Sequence, residues 1–234
     1  MKIADNGAML EIAGINGGFI YPALIWGDGH LVLVDAGFPG QTEPISQALS
    51  GAGFGAEDLT EIIITHQDMD HVGCIPDLRK LAPKVKTVSH IEEAPYMDGR
   101  KMPIKLAAMV EKYDSLNDGQ KAWCDKMRTA LPNRRIETDQ TVTDGEVLPY
   151  CGGIEIVHSP GHTPGHICLF LRESRIMVGG DAINIADGKT AGPNPQHTFD
   201  MELGLKSLEK IKAFPMSALI SYHCGYLNLS KNSV

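Results

Sequence analysis

Short apolar runs alternate with turn-rich stretches along almost the whole chain, and the length of each run sets the element it predicts. Residues 8–13 and 19–25 read as strands on either side of a Gly-rich turn from Gly14 to Gly18. Asp28-Gly29, between two apolar runs, is a hairpin signal. The run Leu31-Val32-Leu33-Val34 then leads into Asp35-Ala36-Gly37. Residues 41–52 predict a helix closed by Gly51 and Gly53. Residues 61–65 carry Ile62-Ile63-Ile64 and predict a buried strand. A short helix over 73–82 and a strand over 85–89 ending at His90 follow. The second half predicts strands over 136–138, 141–143, 146–149 and 154–158, and a hairpin from 166–171 and 175–179. A polar stretch from Ala182 to Phe199 precedes a helix over 200–213, with Asp200 as its N-cap, and a last strand over 218–221.

Residues 91–135 break this rhythm and carry no strand signal. Glu92 and Glu93 read as first-turn residues of a helix, where the macrodipole favours carboxylates. Ile104 to Tyr113 and the spacing Trp123, Met127, Leu131 are helical, with Asn117-Asp118-Gly119 as a break between them. Four of the ten methionines (97, 102, 109, 127) fall here. Methionine-rich helices serve either as core filler or as an adaptable wall for an apolar ligand.

The stretch from Thr65 to Gly73 concentrates the chemistry. His66, Asp68, Asp70 and His71 are four potential metal ligands within six residues, on the turn after a strand. Imidazole and carboxylate donors without a thiolate suit zinc, manganese or iron. Alone, such a cluster also reads as a polar loop. It has partners, however: Pro160-Gly161-His162-Thr163-Pro164-Gly165-His166, Gly179-Gly180-Asp181 and Ser221-Tyr222-His223. The last two follow the apolar runs Ile176-Met177-Val178 and Ala218-Leu219-Ile220, the strand ends where α/β folds gather their sites.

This ordered set resembles the metallo-β-lactamase-fold hydrolases, whose pattern runs HxHxDH, a GHTPGH-like turn, GD and a late strand-end histidine. One position departs from it, since Asp68 stands where that pattern has its second histidine. The resemblance implies an α/β (α+β) four-layer αββα sandwich, here one domain over 1–234 with a helical insertion at about 91–135. It implies that His66, Asp68 and His162 hold one divalent ion, that Asp70, His71 and His223 hold a second, and that Asp181 bridges them. The nucleophile would be a metal-bridging hydroxide, with Asp70 orienting it and shuttling a proton. Zinc is the expected metal, and the Asp68 carboxylate tilts its position toward manganese or iron. Asp35 is expected to organise the floor of the centre without ligating. His197 and Tyr222 are expected to help hold substrate, although strand alternation also allows Tyr222 to turn into the core. His90, His158 and His166 are expected to be structural. A looser internal echo, a strand ending in Asp (Asp35, Asp181) and a later one ending in His (His66, His223), agrees with a fold of two similar halves.

Composition narrows the function. A net charge of −8 offers no footprint for nucleic acid, and no apolar run reaches membrane-span length. The odd count of five cysteines, with no CxxC pair, and a start broken by Asp5 and Asn6 predict free thiols in the cytoplasm. The expected partner is therefore a small-molecule substrate. The oligomeric state stays open, a homodimer included. The expected reaction is hydrolysis of a small carbonyl ester or lactone. The alternatives are a thioester hydrolase of the type II glyoxalase kind or a mononuclear iron enzyme like the persulfide dioxygenases. The glutathione thioester hydrolases carry a C-terminal helical domain, whereas eleven residues follow His223 here, which favours the ester or lactone.

Overall fold

Alternation along the central strands decides which layer each side chain joins. In a computed structural model of the chain, which describes residues 1–15, 17–130 and 135–230, the strand Glu61–Ile64 sends Ile62 and Ile64 to one apolar cluster and Ile63 to another. The strand His30–Val34 likewise divides Leu31 and Leu33 from Val32 and Val34. A strand that is apolar on both faces needs cover on both. On one side the helices Thr42–Gly51 and Ile75–Leu81 supply it through Ile45, Leu49, Ile75 and Leu78. On the other, Val32, Val34, Ile63 and Val88 pack against Ile156, Leu169, Val178 and Ile220 of a second sheet. That sheet's outer face, with Val157, Phe170, Met177 and Leu219, is covered by Leu208 and Ile211 of the helix Met201–Lys212. The layers run helices, sheet, sheet, helix: the expected αββα sandwich.

The first sheet has seven strands in the order Lys2–Ala4, Gly7–Met9, Ala23–Gly27, His30–Val34, Glu61–Ile64, Lys86–His90, Gln140–Val142. The second has six, in the order Val147–Leu148, Ile154–His158, Ile167–Leu171, Ile176–Val178, Ala218–Ser221, Gly225–Asn228. His30–Val34 runs parallel to Glu61–Ile64, and Ile176–Val178 runs parallel to Ala218–Ser221. Parallel neighbours end at the same edge of a sheet. Asp35 and His66 therefore leave one sheet together, and Asp181 and His223 leave the other.

Several boundaries differ from expectation for identifiable reasons. The run 19–25 is split into Phe19–Ile20 and Ala23–Gly27. Pro22 lies between them and has no N–H for a ladder, while its carbonyl accepts from Leu10 N at 2.8 Å. Residues 136–138 form no strand, and the pairing segment is Gln140–Val142. The polar stretch after Asp181 contains a hairpin, Asn184–Ala186 with Lys189–Ala191, turned at Asp187 and Gly188, whose φ angles are 51° and 70°. That Asp-Gly pair is itself a turn signal of the kind read at Asp28-Gly29. Between Lys86–His90 and Gln140–Val142 lie the helices Ala94–Met97, Ile104–Glu111 and Asp118–Ala130. The expected break at Asn117-Asp118-Gly119 is a helix start, with Asn117 Oδ1 accepting from Gln120 N at 2.9 Å. Leu131 lies outside the described residues. Among the described residues, no helix is long and apolar enough to cross a membrane.

One close approach fixes how the motif loop sits on the first sheet. Gly73 N donates to Gly37 O at 2.8 Å, and a Cβ on Gly73 would lie 2.3 Å from Pro39 N and 2.4 Å from Phe38 C. Both neighbours are backbone, so neither yields cheaply. Gly73→Ala is expected to cost about 1–3 kcal/mol, lowering the melting temperature by about 2–4 °C per kcal/mol. An unchanged melting curve would show that the Phe38–Pro39 backbone is free to move.

Candidate metal centre

The helix expected over 73–82 is the one at Ile75–Leu81, and a separate helical turn, Met69–Val72, precedes it, so Asp70 and His71 are carried on helical backbone. Asp68 precedes that turn as N-cap, yet its side chain caps nothing. An aspartate there ordinarily accepts from the helix N–H groups. Here the carboxylate turns toward His66 and His162 instead. At the neighbouring strand end Asp35 takes a left-handed conformation, φ 64°. Its Oδ1 accepts from Thr65 N at 2.9 Å, and its Oδ2 accepts from Thr65 Oγ1 and from His71 Nδ1, both at 2.8 Å. Pinning Nδ1–H in this way leaves His71 Nε2 as the free nitrogen, the arrangement a metal-ligating imidazole needs.

The seven expected ligands converge. Asp68 Oδ2 lies 3.3 Å from His66 Nε2 and 3.1 Å from His162 Nε2. Asp70 Oδ2 lies 3.7 Å from His71 Nε2 and 3.3 Å from His223 Nε2. Asp181 faces both groups, its Oδ1 3.3 Å from His223 Nε2 and 3.6 Å from His71 Nε2, its Oδ2 3.5 Å from His162 Nε2. Donors held tetrahedrally at about 2.0–2.1 Å from one ion stand about 3.3 Å apart. The observed separations match that edge better than they match hydrogen bonds. His66 Nε2, His71 Nε2 and Asp181 Oδ1 are also buried with no hydrogen-bond partner. Orphaned buried polar atoms are costly unless something else satisfies them. The donor set therefore fits divalent cations, with His66, Asp68 and His162 suited to one, Asp70, His71 and His223 to another, and Asp181 between.

Electrostatics divides the imidazoles. Burial, reinforced by nearby His71, holds His66 down at about 4, so it is neutral and ready to ligate. Burial also opposes a charge on His71, but Asp35, Asp70 and Asp181 outweigh it and raise it to about 9. For His223 the Asp181 and Asp70 carboxylates likewise overcome burial and raise it to about 10. Asp68 and Asp181 are held well below the usual carboxylate range despite burial, Asp68 by His66 and His162, and Asp181 by His71 and His223.

The supports around these ligands come from positions that the sequence reads in other or only generally structural roles. Glu93, expected in the first turn of a helix, stands just before the helix Ala94–Met97 and is fully buried. Its Oε2 accepts from Gln67 N at 3.2 Å and Gln67 Nε2 at 3.0 Å, and its Oε1 from Gly165 N at 3.0 Å and from Thr163 Oγ1. One carboxylate thus ties the His66–His71 loop to the His162 turn. Burial raises Glu93 to about 7 even against those hydrogen bonds. His166 is buried beside the ligands and joins neither group. Its Nε2 accepts from Asp181 N at 3.1 Å and its Nδ1 meets Ser159 Oγ at 2.8 Å, so it holds Asp181 in place. The expectation that Tyr222 holds substrate is corrected. The side chain is buried behind His71, at 3.9 Å between ring centroids, and its hydroxyl donates to Asp70 O at 2.6 Å while accepting from Gly37 N at 3.2 Å. Alternation turns Tyr222 inward from its strand end, where it locks the Asp70 turn. His197 is exposed on the wall of a cleft that also reaches His162, Asp181 and His223. His90 and His158 stack on each other at 4.0 Å, apart from both ligand groups.

Two packed sheets whose strand ends and connecting loops bring seven histidine and aspartate side chains together define a metal-binding α/β protein. The sequence model of the metallo-beta-lactamase superfamily matches residues 15–223, and the chain belongs to that family. It is 31% identical over 211 residues to a Bacillus subtilis protein named probable metallo-hydrolase YflN, covering 82% of this chain and 74% of that one. It is 26% identical over 163 residues to the hydroxyacylglutathione hydrolase GloC of Haemophilus influenzae, covering 69% and 65%. Among solved structures, a metallo-beta-lactamase family protein of Thermus thermophilus, TTHA1429, shares the fold, with TM-score 0.74 over 96% of this chain and 75% of that one, at 19% identity.

Two outcomes follow from this geometry. His71 and His223, raised to about 9 and about 10, carry protons at pH 7 that an incoming ion must displace. Zinc uptake should release protons, and apparent affinity should rise with pH between 6 and 8, by about tenfold per unit for each proton displaced. Calorimetry in buffers of different ionisation enthalpy measures this, and a pH-independent, proton-neutral uptake would contradict it. Glu93→Ala leaves the Thr163, Gly165 and Gln67 donors buried without an acceptor, at a cost of about 3 kcal/mol. Thermal melts should show that loss, and metal affinity should fall with it, because both ligand loops lose their common tie.

Proposed function

We propose that the chain is a metal-dependent hydrolase of esters or lactones that carry an apolar acyl portion. The observation that carries this reading is a cavity of about 360 Å³ beside the ligands, walled by Met69, Met97, Leu106, Trp123, Met127 and Ile136. Met97, Leu106, Trp123 and Met127 come from the helices between 91 and 135 that carry the methionines. A second cleft of about 650 Å³ contains Asp181, His223, Asn194 and His197, and Asp68, Asp70 and Lys105 border both. An apolar chamber and a polar cleft meeting at the ligand cluster suit a substrate cleaved between an acyl group and a polar leaving group.

Divalent ions bound by the cluster supply a Lewis acid and a water acidic enough to ionise near neutral pH. The protein does the rest. The apolar chamber binds the acyl chain and excludes water. Asp70, locked by Tyr222 and facing His223, orients the attacking water and carries a proton to the leaving group. His197 stands where the leaving group would lie. Zinc suits the Asp70–His71–His223 donors, and the harder Asp68 tilts the other position toward manganese or ferrous iron. A thioester is the second reading, favoured by the GloC relative.

The test is a panel of esters, lactones and thioesters graded in acyl length, assayed on zinc- and manganese-loaded protein. kcat/KM is expected to rise about fourfold per added methylene until the chamber is full, and Trp123→Ala should move the optimum to longer chains. No length dependence would remove the acyl chamber from the proposal. Oxygen consumption by an iron-loaded form, without hydrolysis, would replace the hydrolase reading altogether.

A further inference from the structure

Lys105 brings a cation onto the first group of ligands. It is the second residue of the helix Ile104–Glu111, and the start of that helix is tied to the motif loop, since Ile104 N donates to Gln67 Oε1 at 3.1 Å. Gln67 lies between His66 and Asp68 and is itself held by Glu93, so the root of Lys105 is fixed relative to those ligands. From there Nζ donates to Asp68 Oδ2 and lies 3.3 Å from His162 Nε2. Asp68 Oδ2 is the same oxygen that faces His66 and His162. Among the described residues, no lysine or arginine pairs with Asp70 or Asp181.

The Asp68 carboxylate carries one negative charge, and the Lys105 ammonium that pairs with it cancels that charge. Asp68 and Lys105 together amount to the neutral imidazole that the family pattern has at this position. An ion bonded to both Asp68 Oδ2 and His162 Nε2 needs the face that Nζ now covers. The lysine side chain is 38% exposed and its stem is flexible, so Nζ can be displaced and does not block the face permanently.

On the reading that both groups bind metal, we infer that Lys105 is a resident cation that competes with a divalent ion for Asp68 and His162. The chain then takes its ions in two unequal steps, at Asp70–His71–His223 first and at His66–Asp68–His162 second. Lys105 tunes the occupancy of the second step while sitting where the two clefts meet.

The experiment is a Zn²⁺ and Co²⁺ titration of metal-stripped full-length protein, with a competing chromophoric chelator and the cobalt absorption spectrum as readouts, so no substrate is needed. Wild type should show two separated steps. Lys105→Met, which keeps the stem and removes the charge, should tighten the weaker step by about tenfold and leave the tighter step in place. Lys105→Arg should retain the separation. In Asp68→His the ammonium loses its partner, so adding Lys105→Met should give no further tightening. Two equal steps in wild type, or a weaker step that Lys105→Met does not change, would overturn the role of Lys105 while leaving the metal centre standing. No metal uptake by any of these proteins, with melting curves showing them folded, would overturn the metal centre and this inference together.

Discussion

A carboxylate that leaves water at a strand end must find donors for its charge, and Asp35, 1% exposed, finds them in Thr65 and His71. This arrangement couples two adjacent strand ends to the orientation of one imidazole. The left-handed backbone at Asp35 aims the carboxylate across the sheet edge, and three hydrogen bonds hold the start of the motif loop. His71 Nε2 is then presented toward Asp70 and Asp181, and Tyr222 packs behind its ring. Remove that buried charge pairing and the loop that supplies four ligands has no fixed floor.

The two sheets repeat the same solution. In each, a strand ending in aspartate runs parallel to one ending in histidine, and the face-to-face packing of the sheets brings both edges to one place. Burial of apolar strand faces thus concentrates carboxylates and imidazoles that would otherwise repel or stay hydrated. The result is a set of buried nitrogen and oxygen atoms, His66 Nε2, His71 Nε2 and Asp181 Oδ1 among them, with no hydrogen-bond partner, an arrangement that a cation would satisfy. Glu93 and His166 brace that arrangement from the surroundings, one tying together the loops and the other holding the backbone of Asp181.

The helices between Lys86–His90 and Gln140–Val142 lie beside the ligand cluster. They wall the apolar chamber and bring Lys105 to Asp68, and the turn that opens the first of them supplies Glu93 beneath the ligands. The aspartate in place of the family's histidine and the lysine opposite it are one electrostatic arrangement, although they lie 37 positions apart.

Much of this protein was determined by local sequence. Strand runs apolar at every position demanded cover on both faces, which predicts layers. His66, Asp68, Asp70 and His71 declare themselves because a loop after a strand can aim closely spaced side chains at one point, and His162, Asp181 and His223 each sit beside a Gly turn or at a strand end. Tertiary structure alone decided the rest. Glu93 and Glu92 are indistinguishable by pattern, and only the approach of the His162 turn made one of them a buried tie. Tyr222 was ambiguous until the packing of the two sheets placed His71 against it. Lys105 is an ordinary polar position on an amphipathic helix, and it gains its meaning only from the place where that helix is anchored. The candidate ligands are written in neighbouring residues because backbone geometry is local. The groups that hold and pair with those side chains are set by chain segments meeting across long loops, which no spacing in the sequence records.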